Sequence, residues 1–363
     1  GYSNFLWTLL VAAGMKLGAE PAAFTLPLGL ALFGCSLLLA WRLGLESGLG
    51  AVGALIALLL AGTNFTFSSY ATGGLETPLV TSLFLAACLQ AALVMNGRIE
   101  RGRGLLFLSA LATAALLTRM DAVILFAGPV LAVFVGGPLT GPGMGRRIAA
   151  DIARLTIIPA VLVGGWLAWK YSYYGDIFPR AFYLKAVNAS SMERGLRYFY
   201  TFIMSYNLAP FLFFCIFFFG AIFRWENRIQ FMLLATALFW CAYVLKLGGD
   251  FMEFRLITPL IPVMMILLIW LLFGCTPKRW LRAAGILLIL GGSIHHAETF
   301  TYDRETGVEP VGMLSGHLFA PEENWVGIGR ALSGAFGPSD DVVIATTAAG
   351  AIPFYAGLRA VDM

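Results

Sequence analysis

Apolar residues along this chain fall into long runs that short polar connections separate. A helix needs about 20 mainly apolar residues to cross a bilayer, so runs close to this length predict transmembrane helices. The pattern therefore predicts about ten transmembrane helices, at residues 24–41, 50–67, 77–95, 104–118, 122–136, 152–170, 206–223, 229–247, 256–273 and 280–294.

Two parts of this pattern differ from a simple span. Residues 2–17 are apolar but short and include Lys16 near their end, which favours an interfacial helix on the membrane surface. The runs 104–118 and 122–136 are also short, and a Thr-Arg-Met-Asp sequence at 118–121 joins them. We expect a tight hairpin at this point, at or below the membrane surface.

Composition indicates the same class of protein. The chain has 363 residues, of which 59% are hydrophobic and only 12% are charged. These values exclude a soluble domain of this length and predict that the chain as a whole is an all-α polytopic membrane protein. The net charge of +4 is small, and no nucleic-acid motif or Walker-type phosphate loop is present, so we expect no nucleic-acid partner. The five cysteines and three histidines lack the spacing of metal ligands.

Basic residues predict the orientation. They occur in every second connection, which marks those connections as cytoplasmic. The external face then receives residues 68–76, 118–121, 171–205, 246–255 and everything after 295, so all the unusual polar stretches share one face. The basic connections carry Arg42; Arg98, Arg101 and Arg103; Arg146 and Arg147; Arg224 and Arg228; and Lys278, Arg279 and Arg282.

The connection at 246–255 concentrates charge between two apolar runs. Charge is expensive at membrane depth, so such a cluster belongs at a membrane boundary or in a wet cavity. Gly248 and Gly249 allow a sharp turn and close backbone approach. Two interpretations remain open, namely one wall of a site at the membrane surface or an ordinary connector. The charged residues are Lys246, Asp250, Glu253 and Arg255.

The external connection at 171–205 alternates aromatic and cationic residues. Such a mixture at an interface suits a lipid headgroup or a phosphate, and a plain interfacial amphipathic helix is the alternative. The cations are Arg180, Lys185, Arg194 and Arg197.

The C-terminal part has a different composition. Residues 298–341 are polar with Gly and Pro, and a β-branched run then leads into a turn of small residues at 341–353. This pattern predicts a strand and loop, as at the start of an external α/β segment. The predicted domains are therefore an interfacial helix at 1–18, a transmembrane domain at 19–297, and the start of an external soluble domain at 298–363.

Carboxylates and cations on one wet face suit group transfer from a phosphate-linked donor. A carboxylate can accept the proton of an acceptor hydroxyl, and Arg or Lys can stabilise a phosphate leaving group. Each residue also has a structural alternative: Asp121 pairs with Arg119 or caps a helix, Glu76 complements a helix dipole, and Asp250 pairs with Arg255 or Lys246. The external carboxylates are Glu76, Asp121, Asp176, Asp250 and Glu253, and the cations are Arg119, Arg180, Lys185, Lys246 and Arg255.

Six stretches, in order along nearly the whole chain, resemble a known superfamily. The stretches are GYSNFLW at 1–7, ATGGLETP at 71–78, TRMD at 118–121, YGDIFPRAFYLK at 174–185, GGDFM at 248–252 with Arg255, and GAIPFY at 350–355. Together they resemble the GT-C membrane glycosyltransferases, most of all the branch of the mycobacterial terminal β-(1→2) arabinofuranosyltransferase and its bacterial relatives.

The resemblance implies an activity and a location. Such enzymes move a sugar from a polyprenyl-phosphate donor to a glycan, lipid or protein acceptor outside the bacterial cytoplasmic membrane. The resemblance also implies that the main catalytic aspartate lies in a first external loop before Gly1, with a first span, so this chain alone is expected to be inactive. It implies no certain cofactor, since some members use a divalent metal ion and others do not.

Candidate roles follow from this resemblance together with the charge pattern. Asp250, Asp121 and Glu76 are the supporting catalytic candidates that shape the sugar or acceptor pocket. Lys185, Arg180, Arg255 and Arg119 are the candidates for binding the donor phosphate. The alternatives from other classes are a transporter or flippase of a lipid-linked sugar, which often has paired broken helices and midplane charges, and a non-catalytic scaffold.

Overall fold

The computed structural model of this protein describes residues 4–136, 144–177, 192–212, 220, 222–321, 323–336, 341–346 and 350–362. These residues are mainly α-helical, with one small sheet near the C-terminus. The prediction of an all-α membrane protein is confirmed at this coarse level, because several of the helices are long and apolar enough to cross a bilayer.

The elements are numbered here in chain order within the described residues. Before residue 300 the helices are α1 Phe5–Lys16, α2 Pro21–Glu46, α3 Gly50–Gly62, α4 Phe65–Ser69, α5 Thr77–Met95, α6 Arg101–Thr118, α7 Val123–Val135, α8 Met144–Tyr174, α9 Met192–Ser205, α10 Arg228–Leu247, α11 Ile261–Cys275 and α12 Arg279–Thr299. Short 3-10 turns occupy Met120–Ala122, Trp225–Asn227 and Thr258–Leu260. After residue 300 come α13 Val311–Phe319, α14 Trp325–Ala335, β1 Val343–Thr346, α15 Ala351–Ala356 and β2 Arg359–Asp362.

Four helices among the described residues are long and apolar enough to span a membrane, namely α2, α5, α8 and α10. This number is smaller than the ten predicted spans. The apolar segments Phe5–Lys16, Gly50–Gly62, Met120–Val135 and Thr258–Gly274 form shorter helical segments. Part of the run predicted at 206–223 lies outside the described residues.

Local chemistry explains why some apolar runs give shorter helices. In the run 50–67, the Asn64 side chain accepts a hydrogen bond from Phe67 N at 3.1 Å and caps a new helix, so the run divides into α3 and α4. In the run 256–273, Pro259 lies in a 3-10 turn and α11 begins only at Ile261. Proline has no backbone N–H and is tolerated only in the first turn of a helix, and Pro259 and Pro262 both lie in such first turns.

Helix α5 is the most buried of the four candidate spans. It packs against α2, α6 and α7, and Phe84, Leu85 and Cys88 are fully buried in this contact. Ser82 Oγ lies 2.8 Å from Ser36 Oγ and also donates to Leu32 O at 2.9 Å, which ties α5 to α2 by polar contacts inside the apolar bundle. Burial of the hydroxyls is acceptable because both are hydrogen-bonded.

The chain divides into two compact units. The first comprises residues 1–250 and 254–300, and the second comprises residues 251–253 and 301–363. In the second unit, Glu253 Oε2 accepts a hydrogen bond from Val311 N at 2.7 Å, and Glu253 N donates to Glu309 O at 3.1 Å. The short segment 251–253 is thereby paired with the chain that enters α13.

The second unit also contains the only sheet among the described residues. Strands β1 and β2 are parallel, with Val343 opposite Arg359, and α15 connects them. A strand was predicted in this part of the chain, and β1 occupies it. A parallel pair needs a crossover connection, which α15 supplies in a very short form. The external location of this unit stays a prediction.

Candidate functional site

Several predicted site residues lie at one end of the first unit, where four helices begin or end. Glu76 immediately precedes α5, Arg119 follows α6, and Asp121 lies in the 3-10 turn before α7. Tyr243 joins them from the C-terminal turns of α10. We call Glu76, Arg119, Asp121 and Tyr243 the hairpin cluster, because the predicted tight hairpin at 118–121 is its centre.

The backbone at Arg119 ends α6 and sets up this cluster. Arg119 has an extended conformation, with φ −153° and ψ 124°, so the helix cannot continue. Ala122 N donates back to Arg119 O at 3.1 Å and closes the turn. The turn places the side chains of Arg119 and Asp121, two residues apart, next to each other.

Arg119 forms a bidentate ion pair with Asp121 within the hairpin cluster. Its Nε donates to Asp121 Oδ1 at 3.0 Å, and its Nη2 donates to Asp121 Oδ2 at 2.7 Å. Its Nη1 lies 3.8 Å from Glu76 Oε1, and the Tyr243 hydroxyl donates to Asp121 Oδ2 at 3.1 Å. The Glu76, Arg119 and Asp121 side chains are only 12%, 17% and 20% exposed, so the geometry of the cluster is well fixed.

Charge interactions shift the pKa of both members of this pair. Burial alone lowers the pKa of Arg119, but Asp121 and Glu76, with a smaller contribution from Asp250, outweigh burial and raise it. Burial alone raises the pKa of Asp121, whereas the Arg119 charge and the hydrogen bonds from Arg119 and Tyr243 lower it below the usual range. Asp121 is therefore ionised at neutral pH and is a weak base.

The predicted turn after α10 has the two-glycine geometry that its sequence indicates. Gly248 and Gly249 have φ values of +81° and +80°, a region that glycine enters without strain. A Cβ at position 249 would lie 2.6 Å from Cγ of Tyr198, which packs against the turn from α9. Arg194 of α9 also donates from Nε to Gly248 O at 3.0 Å. Glycine is required at 249 for both conformation and space.

Asp250 and Arg255 form the second ion pair of the candidate site. Arg255 Nε and Nη2 each lie 2.7 Å from Asp250 Oδ2. The Asp250 side chain is 5% exposed and that of Arg255 is 19% exposed, so this carboxylate is the more buried partner. A charged pair this deeply buried is stable only when its hydrogen bonds are well aligned.

Phe254, inside this loop, anchors it to the helices behind. Its φ of +42° is unusual for a bulky side chain, so the surrounding structure must hold the strained conformation. The Phe254 ring is fully buried, with ring centroids of Phe202, Phe300 and Tyr198 at 5.1, 5.3 and 5.4 Å. The Phe254 ring thus anchors the loop that carries Asp250 and Arg255 in an aromatic cluster.

The structure places five of the seven predicted site residues in two ion-paired groups, Glu76 with Arg119 and Asp121, and Asp250 with Arg255. Asp250 contributes to the raised pKa of Arg119, so the Asp250–Arg255 pair lies within electrostatic range of the hairpin cluster. The pairings that the sequence left open as alternatives, Asp121 with Arg119 and Asp250 with Arg255, are both formed. The two remaining predictions, Lys185 and Arg180, lie outside the described residues.

Sequence reasoning missed two tyrosines of the site. Tyr243 contacts Asp121, and Tyr198 packs against Gly249, but both occur among other aromatic and apolar residues. A signal for Tyr243 was present, because a hydroxyl near the end of an apolar run needs a polar partner. No comparable signal marked Tyr198, whose contact depends on how α9 packs against α10.

The opposite end of the bundle carries the basic connections. Arg101 Nε donates to Asp151 Oδ2 at 2.9 Å, and Arg101 Nη1 donates to Val133 O at 2.7 Å. A polar pocket of about 270 Å³ at this end is lined by residues that include Glu46, Asn96 and Arg228. This pocket is remote from the hairpin cluster, and hydrogen bonds already engage its polar walls, so we do not assign the candidate site to it.

The fold and the clustered charges define a helical membrane protein with a polar site at one end of its bundle. Within the described part of the chain, no three His, Cys, Asp or Glu side chains are arranged to hold a metal ion. Comparisons with models of known protein families, with curated proteins and with solved structures give no match.

Proposed function

We propose that this protein is a glycosyltransferase that moves a sugar from a polyprenyl-phosphate donor to a glycan, lipid or protein acceptor. The proposal includes a GT-C-like bundle of about ten spans in the bacterial cytoplasmic membrane, with the site on the extracytoplasmic face. One observation supports it: the buried Glu76–Arg119–Asp121 group and the Asp250–Arg255 pair come from distant parts of the sequence and lie within electrostatic range of each other.

The reaction needs a proton acceptor and a stabilised leaving group. An acceptor hydroxyl attacks the anomeric carbon of the donor sugar, and the bond from that carbon to the phosphate oxygen breaks. A carboxylate takes the hydroxyl proton, and polyprenyl phosphate leaves with the bonding electron pair. Nearby cations stabilise the negative charge that develops on the phosphate.

Burial and pairing distinguish the carboxylates in this scheme. Asp121 accepts three hydrogen bonds and has a lowered pKa, so it suits an orienting role toward sugar hydroxyls, together with Glu76. Asp250 is almost fully buried beside one arginine and remains our first choice for a direct role in the transfer.

The cations suit a lipid-linked phosphate. Arg119 and Arg255 are partly exposed, and a guanidinium can form bidentate hydrogen bonds with phosphate oxygens. Lys185 and Arg180 are proposed to complete the phosphate site. Charged groups at the end of apolar helices match a donor whose phosphate lies at headgroup level while its chain stays in the bilayer.

The full-length protein, purified in detergent, tests this proposal with a radiolabelled sugar on polyprenyl phosphate. We expect the label to appear on an added acceptor, and Arg255→Ala to lower kcat/KM at least about 100-fold through lost charge stabilisation. Arg101→Ala is the matched control, since Arg101 pairs with Asp151 at the other end of the bundle. Label that crosses proteoliposome membranes while the donor stays intact would show a flippase instead.

A further inference from the structure

Helix α8 (Met144–Tyr174) leaves most of its apolar window exposed, yet three of its side chains are buried, namely Asp151, Trp166 and Lys170. Buried polar groups in proteins are normally hydrogen-bonded. Asp151 satisfies this rule, because it accepts hydrogen bonds from Arg101 Nε at 2.9 Å and from Arg154 Nη1 at 3.1 Å. Trp166 and Lys170, near the other end of the helix, need a separate explanation.

Trp166 and Lys170 each carry a buried donor that lacks an acceptor. Their exposed fractions are 5% and 1%, and among the described residues neither Trp166 Nε1 nor Lys170 Nζ has a hydrogen-bond partner. Lys170 Nζ lies 5.2 Å from the centre of the Trp166 ring, whose face attracts the ammonium group but supplies no acceptor atom. A buried donor without an acceptor destabilises a fold, so two such donors together indicate a partner from outside the chain.

The two donors lie next to each other on α8. Residues four positions apart on a helix share one face, one turn apart, and Trp166 and Lys170 have this spacing. Phe5 of α1 stacks on the Trp166 ring, with ring centroids 5.6 Å apart and an interplanar angle of 26°. This stack holds the indole ring beside Lys170. We call Trp166 Nε1 and Lys170 Nζ the donor pair.

Exposed aromatic residues place the donor pair at headgroup level. Lys170 lies close to the C-terminal end of α8, where Tyr171 and Tyr173 are exposed. Aromatic belts of this kind mark the interface between the membrane and water. Since the apolar window before this end is exposed, a lipid can lie along α8 with its acyl chains beside the window and its headgroup beside the donor pair.

Helix α1 places the donor pair at the same end of the bundle as the hairpin cluster. Phe5, which stacks on Trp166, lies in the first turn of α1. Trp7, in the same turn, donates from Nε1 to Gly74 O at 3.2 Å. Gly74 precedes Glu76 of the hairpin cluster by two residues, so α1 contacts both the donor pair's helix and the chain that enters the cluster.

The chemistry of the donor pair selects an anion. An ammonium group and an indole N–H donate hydrogen bonds and accept none, so their partner must supply acceptor oxygens. Asp176 lies within electrostatic range of Lys170, but its carboxylate does not hydrogen-bond to Lys170 Nζ. A phosphate carries negative charge and several acceptor oxygens, so one group can bind both donors. Phosphate is also the anion that membrane lipids supply at headgroup level.

We propose that Trp166 Nε1 and Lys170 Nζ bind the phosphate group of a membrane lipid at the end of α8. The proposal does not rest on glycosyl transfer, since it concerns binding alone. A phospholipid and a polyprenyl phosphate offer the same phosphate chemistry to the donor pair, and the experiment below separates these two sources.

The melting temperature of the delipidated full chain in detergent tests the site. The added ligands are phosphatidylglycerol, polyprenyl phosphate, inorganic phosphate, and diacylglycerol as a lipid without phosphate. A ligand that binds only the folded state raises the melting temperature, and we expect at least about 3 °C from phosphatidylglycerol, from polyprenyl phosphate or from both. An increase from only one of them identifies the source. No increase from either would overturn the proposal, and so would an equal increase from diacylglycerol or inorganic phosphate.

Variants of the donor pair test whether these two residues are responsible. Lys170→Met and Trp166→Phe should each lose more than about half of the lipid-induced increase, since Trp166→Phe removes the N–H and keeps a ring that stacks on Phe5. Lys16→Met and Trp169→Phe are the matched controls at exposed positions and should keep the full increase. The same increase in all four variants would overturn the assignment. No sugar donor is used, so the result is distinguishable from failure of the proposed activity.

Discussion

Tyr198 lies directly against Gly249, and a Cβ at position 249 would come within 2.6 Å of the Tyr198 ring. This contact joins α9 to the loop that carries Asp250 and Arg255. Since Gly249 also has φ +80°, the site loop depends on a residue that has neither a side chain nor a preference for negative φ.

Gly249→Ala should therefore destabilise the protein more than an ordinary glycine substitution. Positive φ costs alanine about 1–2 kcal/mol, and the clash with Tyr198 adds about 1–3 kcal/mol. Gly97→Ala is the control, because Gly97 has φ +69° and no atom within 4 Å of the added Cβ. The melting temperature of each variant in detergent measures its loss of stability. Equal decreases in melting temperature for the two variants would show that the Tyr198 ring moves aside without a loss of stability.

Acid should weaken the hairpin cluster. Asp121 has a lowered pKa in the fold, so its contribution to stability is present above its unfolded pKa of about 3.9 and is lost as pH falls through the folded pKa. Asp121→Asn should cost about 3 kcal/mol at pH 7, because it removes the bidentate partner of the buried Arg119 charge and leaves Glu76 at 3.8 Å and the smaller contribution of Asp250. Melting temperatures at pH 7 and pH 3.5 should differ less in the variant than in the wild type. The same difference in melting temperature between the two pH values in both proteins would contradict the role of Asp121 in acid sensitivity.

His317 should make the second unit sensitive to alkaline pH. Burial lowers the pKa of His317, but hydrogen bonds to Glu309 and Glu323 outweigh burial and raise it. The protonated ring, stacked 5.0 Å from Trp325, contributes stability that is complete below an unfolded pKa of about 6.5 and is lost as pH rises through the folded pKa. The pair of carboxylates thus favours the charged imidazolium in the folded state.

Hydrogen exchange of peptides covering α13 and α14 measures this effect. Protection, corrected for intrinsic rates, should decrease between pH 6 and pH 8.5 in the wild type, and this decrease should be smaller in His317→Gln. His295→Gln is the control, because His295 is an exposed histidine of α12 in the first unit. The same decrease in all three proteins would show that His317 is not responsible.

Lys170 in α8 should reduce stability. The residue is 1% exposed, and within the described part of the chain no acceptor lies within hydrogen-bonding distance of its Nζ, which lies 5.2 Å from the Trp166 ring centre. A buried donor without an acceptor costs about 1–3 kcal/mol, so Lys170→Met should raise the melting temperature. Lys16→Met, at an exposed lysine, should have little effect. A lower melting temperature for Lys170→Met would show a stabilising role for the charge.

Local patterns were sufficient to predict many of the helices. The run 77–95 has the same bounds as α5, and the hairpin at 118–121 is present, because apolar length and a polar Arg-Met-Asp break act within a few residues. The number of long spans could not be predicted in the same way. Whether Asn64 interrupts a run or lies within it depends on distant partners, such as the Tyr206 hydroxyl that lies 2.6 Å from Thr66 Oγ1.

The candidate site was partly predictable for a related reason. Charge in an apolar chain is rare, so Asp121 and Asp250 could be selected by residue type alone. Their ion-pair partners were also predictable, since Arg119 and Arg255 are near in sequence. The contacts of Tyr243 and Tyr198 were not, because they join helices whose packing no local pattern determines.

Glycosyl transfer by two carboxylate variants distinguishes the proposed site from the opposite end of the bundle. Asp250→Asn changes the proposed site, and Asp151→Asn changes an equally buried carboxylate that also pairs with arginine, at the other end of the bundle. We expect the full-length Asp250→Asn protein to lose at least about 100-fold in kcat/KM with a labelled polyprenyl-phosphate sugar. We expect Asp151→Asn to stay within about three-fold of wild type. Equal rates in the two variants would contradict the assignment of the site to this end of the protein.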